Sequence, residues 1–77
     1  MTLALLTRID ADLNMRRFYR VEALPDLFGG VQVIREWGRI GTQGQRLSHW
    51  CATGAEAENL TDTLLAAKLR RGYALAG

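Results

Sequence analysis

Arginine and tryptophan alternate at Arg35, Trp37 and Arg39. On a β-strand, where side chains repeat every two residues, these three share one face and Ile34 and Ile40 turn the other way, toward a core. Two guanidinium forks beside an indole suit a ligand that carries both negative charge and a flat surface, as an exposed nucleotide does. Arg46, across the glycine-rich turn, is expected to extend the same basic surface, and with Arg20 it is a further candidate for phosphate contacts. Each position also has a purely structural reading. Trp37 can be a core aromatic, Arg39 can pair with Glu22 or Glu36 across strands, and Arg20 and Arg46 can be solvated strand residues.

Other chemistry lacks its residues. Ser48 and His49 are neighbours on a strand and point to opposite faces, so they cannot form a nucleophile and base pair. His49 and Cys51 share a face, but the chain holds one His and one Cys, short of the four ligands usual for structural zinc. Gly38, Gly41 and Gly44 lack the lysine and following helix of a phosphate-binding loop and read better as a tight hairpin turn. Lys68, Arg70 and Arg71 close a helix, where cations are favoured by its dipole. Trp50 reads as a hydrophobic anchor and Tyr73 as a packing residue at the helix end. No catalytic residue, metal or cofactor is expected.

The elements that must carry these residues follow from periodicity and turn chemistry. Leu3 to Ile9 reads as a strand, Asp10 to Asn14 as a polar reversal, and a second strand starts near Arg16, with Tyr19, Val21 and Ala23 alternating with Phe18, Arg20 and Glu22. Leu24 to Gly30 interrupts it, and Leu27 and Phe28 are expected to tuck back over an edge of the core. A third strand runs from Val31 to about Ile40 and a fourth from Gln45 to Ala52, joined as a hairpin through Gly41 to Gly44. Thr53 and Glu56 match a capping box, so a helix begins there. Its apolar arc is Ala57, Leu60, Leu64, Leu65 and Leu69, crossed by Thr61 and Lys68, and Gly72 ends it. Ala74 to Gly77 reads as a frayed end. The expected fold is α+β, a single antiparallel sheet of about four strands with one C-terminal helix on one face.

Size and composition agree with one domain over residues 1–77. A chain of 77 residues encloses one core, and a domain this small buries only about 60% of its unfolded surface. An apolar fraction of 48% with 23% charged residues is that of a folded chain rather than a disordered one. No stretch reaches the roughly 20 apolar residues of a membrane span, the opening residues are too short for a signal peptide, and the single cysteine suits a reducing compartment, so a cytoplasmic protein is expected. The net charge of +2 is small, but nine of the ten basic residues are arginine and the acidic ones gather at Asp10, Asp12, Glu56, Glu58 and Asp62, leaving the middle of the chain basic.

Trp37-Gly38-Arg39, followed by Ile40-Gly41-Thr42-Gln43-Gly44-Gln45, resembles the signature of the WGR domain, the small module of DNA-dependent poly(ADP-ribose) polymerases that also occurs in bacterial proteins. Asn14 to Tyr19 is similar to the family's Asn-x-x-x-Phe-Tyr strand, and Lys68 to Tyr73 to the basic helix end of its bacterial members, so the likeness covers nearly the whole chain. The resemblance implies that Trp37 packs against a terminal nucleotide at a DNA break and that Arg39 contacts DNA or a neighbouring domain. The relay of DNA binding to a catalytic domain has no counterpart in these residues. The resulting expectation is a non-enzymatic, sequence-independent binder of DNA ends or nicks that uses Trp37, Arg39, Arg35, Arg46 and Arg20. The alternative is a protein interaction module that uses the same Trp37 and Arg39 surface, since both residue types dominate protein interfaces as well.

Overall fold

The computed structural model describes residues 2–76. Five strands and one helix follow the chain as β1 (Thr2–Asp10), β2 (Met15–Pro25), β3 (Val31–Arg39), β4 (Gln45–Cys51), α1 (Gly54–Arg70) and β5 (Ala74–Leu75). They form one sheet in the order β4-β3-β2-β1-β5, with every pairing antiparallel. The sheet thus has five strands, not about four. The residues expected to fray pair Ala74 with Thr7 and Leu75 with Leu6, and the Ala76 amide donates to the Leu5 carbonyl at 2.8 Å. Gly77, the last of that expected tail, lies outside the described residues.

The fifth strand depends on how α1 stops. Gly72 has a φ of +91°, which costs glycine little, and its amide donates to the Leu69 carbonyl while that of Tyr73 donates to Lys68. This reversal turns the chain back and buries Tyr73 at the start of the final segment. The backbone then runs beside β1 and pairs with its outer edge from Leu5 to Thr7. At the other end of α1, Thr53 Oγ1 accepts the Glu56 amide at 3.2 Å, as the capping box requires. The Glu56 carboxylate reaches one residue further back than expected, to the Ala52 amide at 3.0 Å.

One face of the sheet carries the core. Leu6, Tyr19, Val21, Val33 and Cys51 meet Ala57 and Tyr73 there, with Val31, Trp37, Leu60, Leu64 and Leu65 packed around them. The hydroxyl of buried Thr61 is satisfied by the Ala57 carbonyl at 2.8 Å, so a polar residue sits in the apolar arc without an unmet donor. Leu69, expected in that arc, is 49% exposed because the helix has by then run toward the rim. The opposite face has no layer over it among the described residues.

Two expectations about side-chain direction fail. Ile34 is only 5% exposed, but it lies on the uncovered face, and Ile40 is exposed there too. The core is on the Trp37 side, because Tyr19 and Val21 stand directly opposite Trp37 and Arg35 and bring the helix to that face. Leu27 and Phe28 do not tuck back, and each is 95% exposed. Their turn closes on itself, with the Asp26 amide on the Gly30 carbonyl and the Gly29 amide on that of Asp26, which leaves both side chains pointing outward. The Trp50 indole fills the place beneath, its Nε1 donating to Asp26 Oδ2 at 3.0 Å and to the Gly29 carbonyl at 3.2 Å.

Candidate nucleic-acid interface

Register across the sheet decides which residues can act together. On the helix-bearing face one row sets Leu6, Tyr19, Trp37 and Gln45 side by side, and the next sets Arg8, Arg17 and Arg39 side by side. Three cations on directly opposed positions of neighbouring strands repel one another, an arrangement that sheets otherwise avoid. Among the described residues no carboxylate lies within 4.0 Å of any of them, since the ion pairs found there belong to Arg20. The helix stops at Gly72 against the half-buried Arg8 and leaves Arg17 and Arg39 exposed.

Beside the row is a groove of about 520 Å³ walled by Arg17, Trp37, Arg39, Lys68 and Tyr73, with Leu13, Asn14 and Met15 of the β1–β2 reversal along one side. Trp37 is half-buried, as its place at the edge of the core requires, and the guanidinium carbon of Arg35 stands 5.2 Å from the indole centroid. That cation–π contact contributes about 0.5 to 2 kcal/mol, depending on how dry the pair is, and fixes the tilt of the ring. The backbone beneath is pinned by Gly44 at a φ of +69°, where a Cβ would come 2.2 Å from the Trp37 carbonyl oxygen. The glycine-rich turn therefore positions the indole rather than cradling a phosphate.

Arg39 is held at the rim by a loop. Its Nη1 donates to the Asn14 carbonyl at 3.2 Å and its Nη2 to the Asn14 side-chain oxygen at 3.4 Å, and Asn14 sits at a φ of 50° that brings both acceptors around. These exposed bonds orient the guanidinium and leave its other donors to solvent. The ion pair with Glu22 or Glu36 considered for Arg39 belongs instead to Arg20, whose Nε is 3.4 Å from Glu22 and whose Nη2 is 3.2 Å from Glu36.

Beneath the groove, Lys68 lies over the rings of Tyr19 and Tyr73, at 5.0 and 5.3 Å from their centroids. Burial, with the charges of Arg71, Arg35 and Arg17, holds its ammonium below the ordinary lysine range. Burial pushes the Tyr19 phenol above its ordinary value against the pull of nearby Arg35. Among the described residues neither the Tyr19 hydroxyl nor Arg35 Nε meets full hydrogen-bond geometry, although the Arg35 guanidinium is near enough to the phenol to pull its pKa down. The site is therefore strongly cationic before any ligand arrives, and an anion would relieve repulsion among groups the fold already holds together.

The five residues singled out from the sequence fall into two sets. Trp37, Arg39 and Arg35 come together on the helix-bearing face. Arg20 and Arg46 lie on the opposite, uncovered face, in a shallower hollow of about 620 Å³ with Phe18, Glu36 and Ile40. That hollow is the larger of the two, but Glu22 and Glu36 neutralise Arg20 within it, so it attracts anions less. Arg8 and Arg17, which the structure sets beside Arg39, were not singled out from the sequence. The alternation Arg17, Tyr19, Val21 puts Arg17 on the apolar face, but only the strand register shows that Arg8 and Arg39 flank it.

Among the described residues no group of three or more His, Cys, Asp or Glu is placed to hold a metal, and no helix is long and apolar enough to cross a membrane. The sequence model of the WGR domain matches residues 2–77. A protein of Sinorhizobium fredii, named uncharacterized protein y4dW, is 42% identical over 66 residues, which are 86% of this chain and 32% of that protein. The chain thus spans about a third of the curated relative's length. No solved structure matches. With the Trp37-Gly38-Arg39 signature seated beside a cationic groove and the match running through the whole described sheet and helix, the chain belongs to the WGR domain family of small, non-catalytic, nucleic-acid-binding modules.

Proposed function

We propose that this domain binds DNA without reading its sequence, at ends or nicks where a sugar or base is exposed. The observation that carries this reading is the unneutralised row of Arg8, Arg17 and Arg39 ending beside the half-buried indole of Trp37. Phosphates would meet Arg39, Arg17 and Arg8, while the free edge of Trp37 packs on the exposed nucleotide, a contact worth about 1 to 3 kcal/mol. Arg35 acts through the indole by fixing its tilt. Arg20 and Arg46, on the other face, would touch the same DNA only if it wrapped the edge of the sheet; Arg46 adds to the general field, whereas Arg20 is neutralised by Glu22 and Glu36. No helix is presented for insertion in a groove, so phosphate contacts dominate and the affinity should fall steeply with salt.

The test is an anisotropy titration of a DNA hairpin with one blunt end against a closed dumbbell of equal length, at two salt concentrations, with wild type and Trp37→Ala. End-selective binding that weakens with salt and disappears in the folded variant is expected. Equal affinity for hairpin and dumbbell would remove the end-binding role of Trp37. No binding of either DNA at low salt would remove the DNA reading for this domain.

A further inference from the structure

The outer edge of β4 has no strand beside it, and residues 45–48 are all exposed. Natural sheets guard such edges with lysine, proline, bulges or a covering loop. The strand Gln-Arg-Leu-Ser-His-Trp-Cys has no lysine, no proline and no glycine, and its register with β3 runs from Gln45 to Cys51 without a shift. On the opposite edge β5 pairs with Leu6 and Thr7 in the middle of β1, and the register of β1 with β2 slips between Thr2 and Ala4, so that edge is interrupted. The β4 edge is therefore the longer uninterrupted one, seven residues in regular register, and an antiparallel two-fold pairing of two such edges closes on itself rather than running on as a fibre.

The side chains of β4 match a second copy of themselves. Arg46 stands opposite Glu36, but that carboxylate is held by Arg20 at 3.2 Å, so Arg46 has no carboxylate within 4.0 Å among the described residues. Four residues on, and on the same face, the Trp50 ring is anchored at Nε1 but 58% exposed. Ser48 lies midway between them. We propose that two copies of this chain pair their β4 edges antiparallel about a two-fold axis at Ser48, extending the two sheets into one.

In that register each Arg46 guanidinium meets the indole of the other copy's Trp50, and each Leu47, 43% exposed, lies beside the other copy's His49 on the helix-bearing face. The axis is normal to the sheet, so both helices and both Trp37 grooves stay on one side. No β4 residue walls the groove, and pairing leaves it open. Strand spacing and rise place the two Trp37 positions about 25 Å apart. The pairing itself does not depend on the DNA reading; bridging two DNA segments would depend on both.

The association is measured without DNA, by sedimentation equilibrium from micromolar to millimolar concentration, on wild type and Ser48→Lys. The average mass of the wild type should rise toward twice the monomer, and that of the variant, which sets two ammonium groups face to face at the axis, should not. Circular dichroism melting confirms that the variant folds; Ser48 is exposed, and among the described residues its hydroxyl bonds only to Gln32. Ser48→Cys fixes the register independently. Opposed strand positions lie within disulfide reach, so under mild oxidant this variant should cross-link faster than a Thr63→Cys control on the exposed helix surface. A wild type that stays monomeric to millimolar concentration overturns the proposal. So does a dimer indifferent to Ser48→Lys, or cross-linking no faster at 48 than at 63.

Discussion

Replacing Arg17 with glutamine should make the domain more stable and a weaker ligand for DNA. Arg17 is exposed and is flanked in register by Arg8 on one strand and Arg39 on the other, with no carboxylate within 4.0 Å among the described residues. A directly opposed like-charge pair costs about 0.2 to 1 kcal/mol, so removing the middle member of three relieves about 0.5 to 1 kcal/mol at low salt. Arg17 is also one of the charges that lower the Lys68 pKa, which adds relief of the same sign. Glutamine keeps the start of the aliphatic stem and a comparable strand preference, so little packing is lost. For a domain of this size the gain appears as a melting temperature about 3 to 6 °C higher, shrinking as salt screens the row.

The same substitution removes one phosphate contact. Binding should weaken by about 1 kcal/mol, roughly fivefold, and the slope of log affinity against log salt should fall by about one. The assay is thermal melting at low and high salt, paired with anisotropy titrations over the same salt range. Opposite movements in the two measurements distinguish a residue kept for its charge from one kept for the fold. A lower melting temperature at every salt concentration would show that Arg17 has favourable partners and refute the repulsion argument. An unchanged salt slope would remove Arg17 from the DNA contact.

Three further outcomes follow from the fold that supports this site. Gly44→Ala should destabilise the domain by about 2 kcal/mol or more, because φ is +69° and the new Cβ would meet the Trp37 carbonyl at 2.2 Å; an unchanged chemical denaturation midpoint would contradict this. Thr53→Ala should cost about 1 kcal/mol by removing the cap at the Glu56 amide and leave DNA affinity unchanged, because the cap lies at the helix end away from Lys68. Tyr19→Phe removes a buried hydroxyl whose neighbour Arg35 is out of full hydrogen-bond geometry, and should be nearly neutral for stability at pH 7. Because the folded Tyr19 pKa is raised above 10.0, the unfolded chain ionises first; this residue's contribution is present below that pH and lost above it. The variant should therefore lose less stability than wild type between about pH 9 and about pH 11, measured by urea denaturation.

What could be read from the sequence was local, and what could not was relational. The capping box, the glycine stop and the alternation of Tyr19, Val21 and Ala23 each depend on neighbours a few residues away, and each appears where expected. The covered face was misjudged because Ile34 and Ile40 are more apolar than Arg35 and Arg39, whereas the helix follows the face that three strands share. Placing Arg46 with Trp37 failed for a related reason, since residues opposed in register share a face and Arg46 opposes Glu36, not Trp37. Arg8 needed two registers at once and β5 a change of chain direction, and neither is encoded in any short window.

The small net charge conceals a separation of charge along the molecule. The helix begins among Glu56, Glu58 and Asp62 and ends at Lys68, Arg70 and Arg71, which complements its dipole at both ends. That arrangement would be sufficient in isolation, but the strands repeat it. Arg8, Arg17 and Arg39 lie at the end where the helix stops, and Asp26 lies at the other, bonded to Trp50. Asp10 and Asp12 are at the cationic end, though Asp10 accepts the Asp12 amide and so helps close the β1–β2 reversal. The helix end explains Lys68, Arg70 and Arg71 and favours Arg8 beside Gly72, but it does not explain why Arg17 and Arg39 stand directly opposed on neighbouring strands, where they repel each other. The proposed DNA ligand, itself a row of negative charges, would make that row favourable.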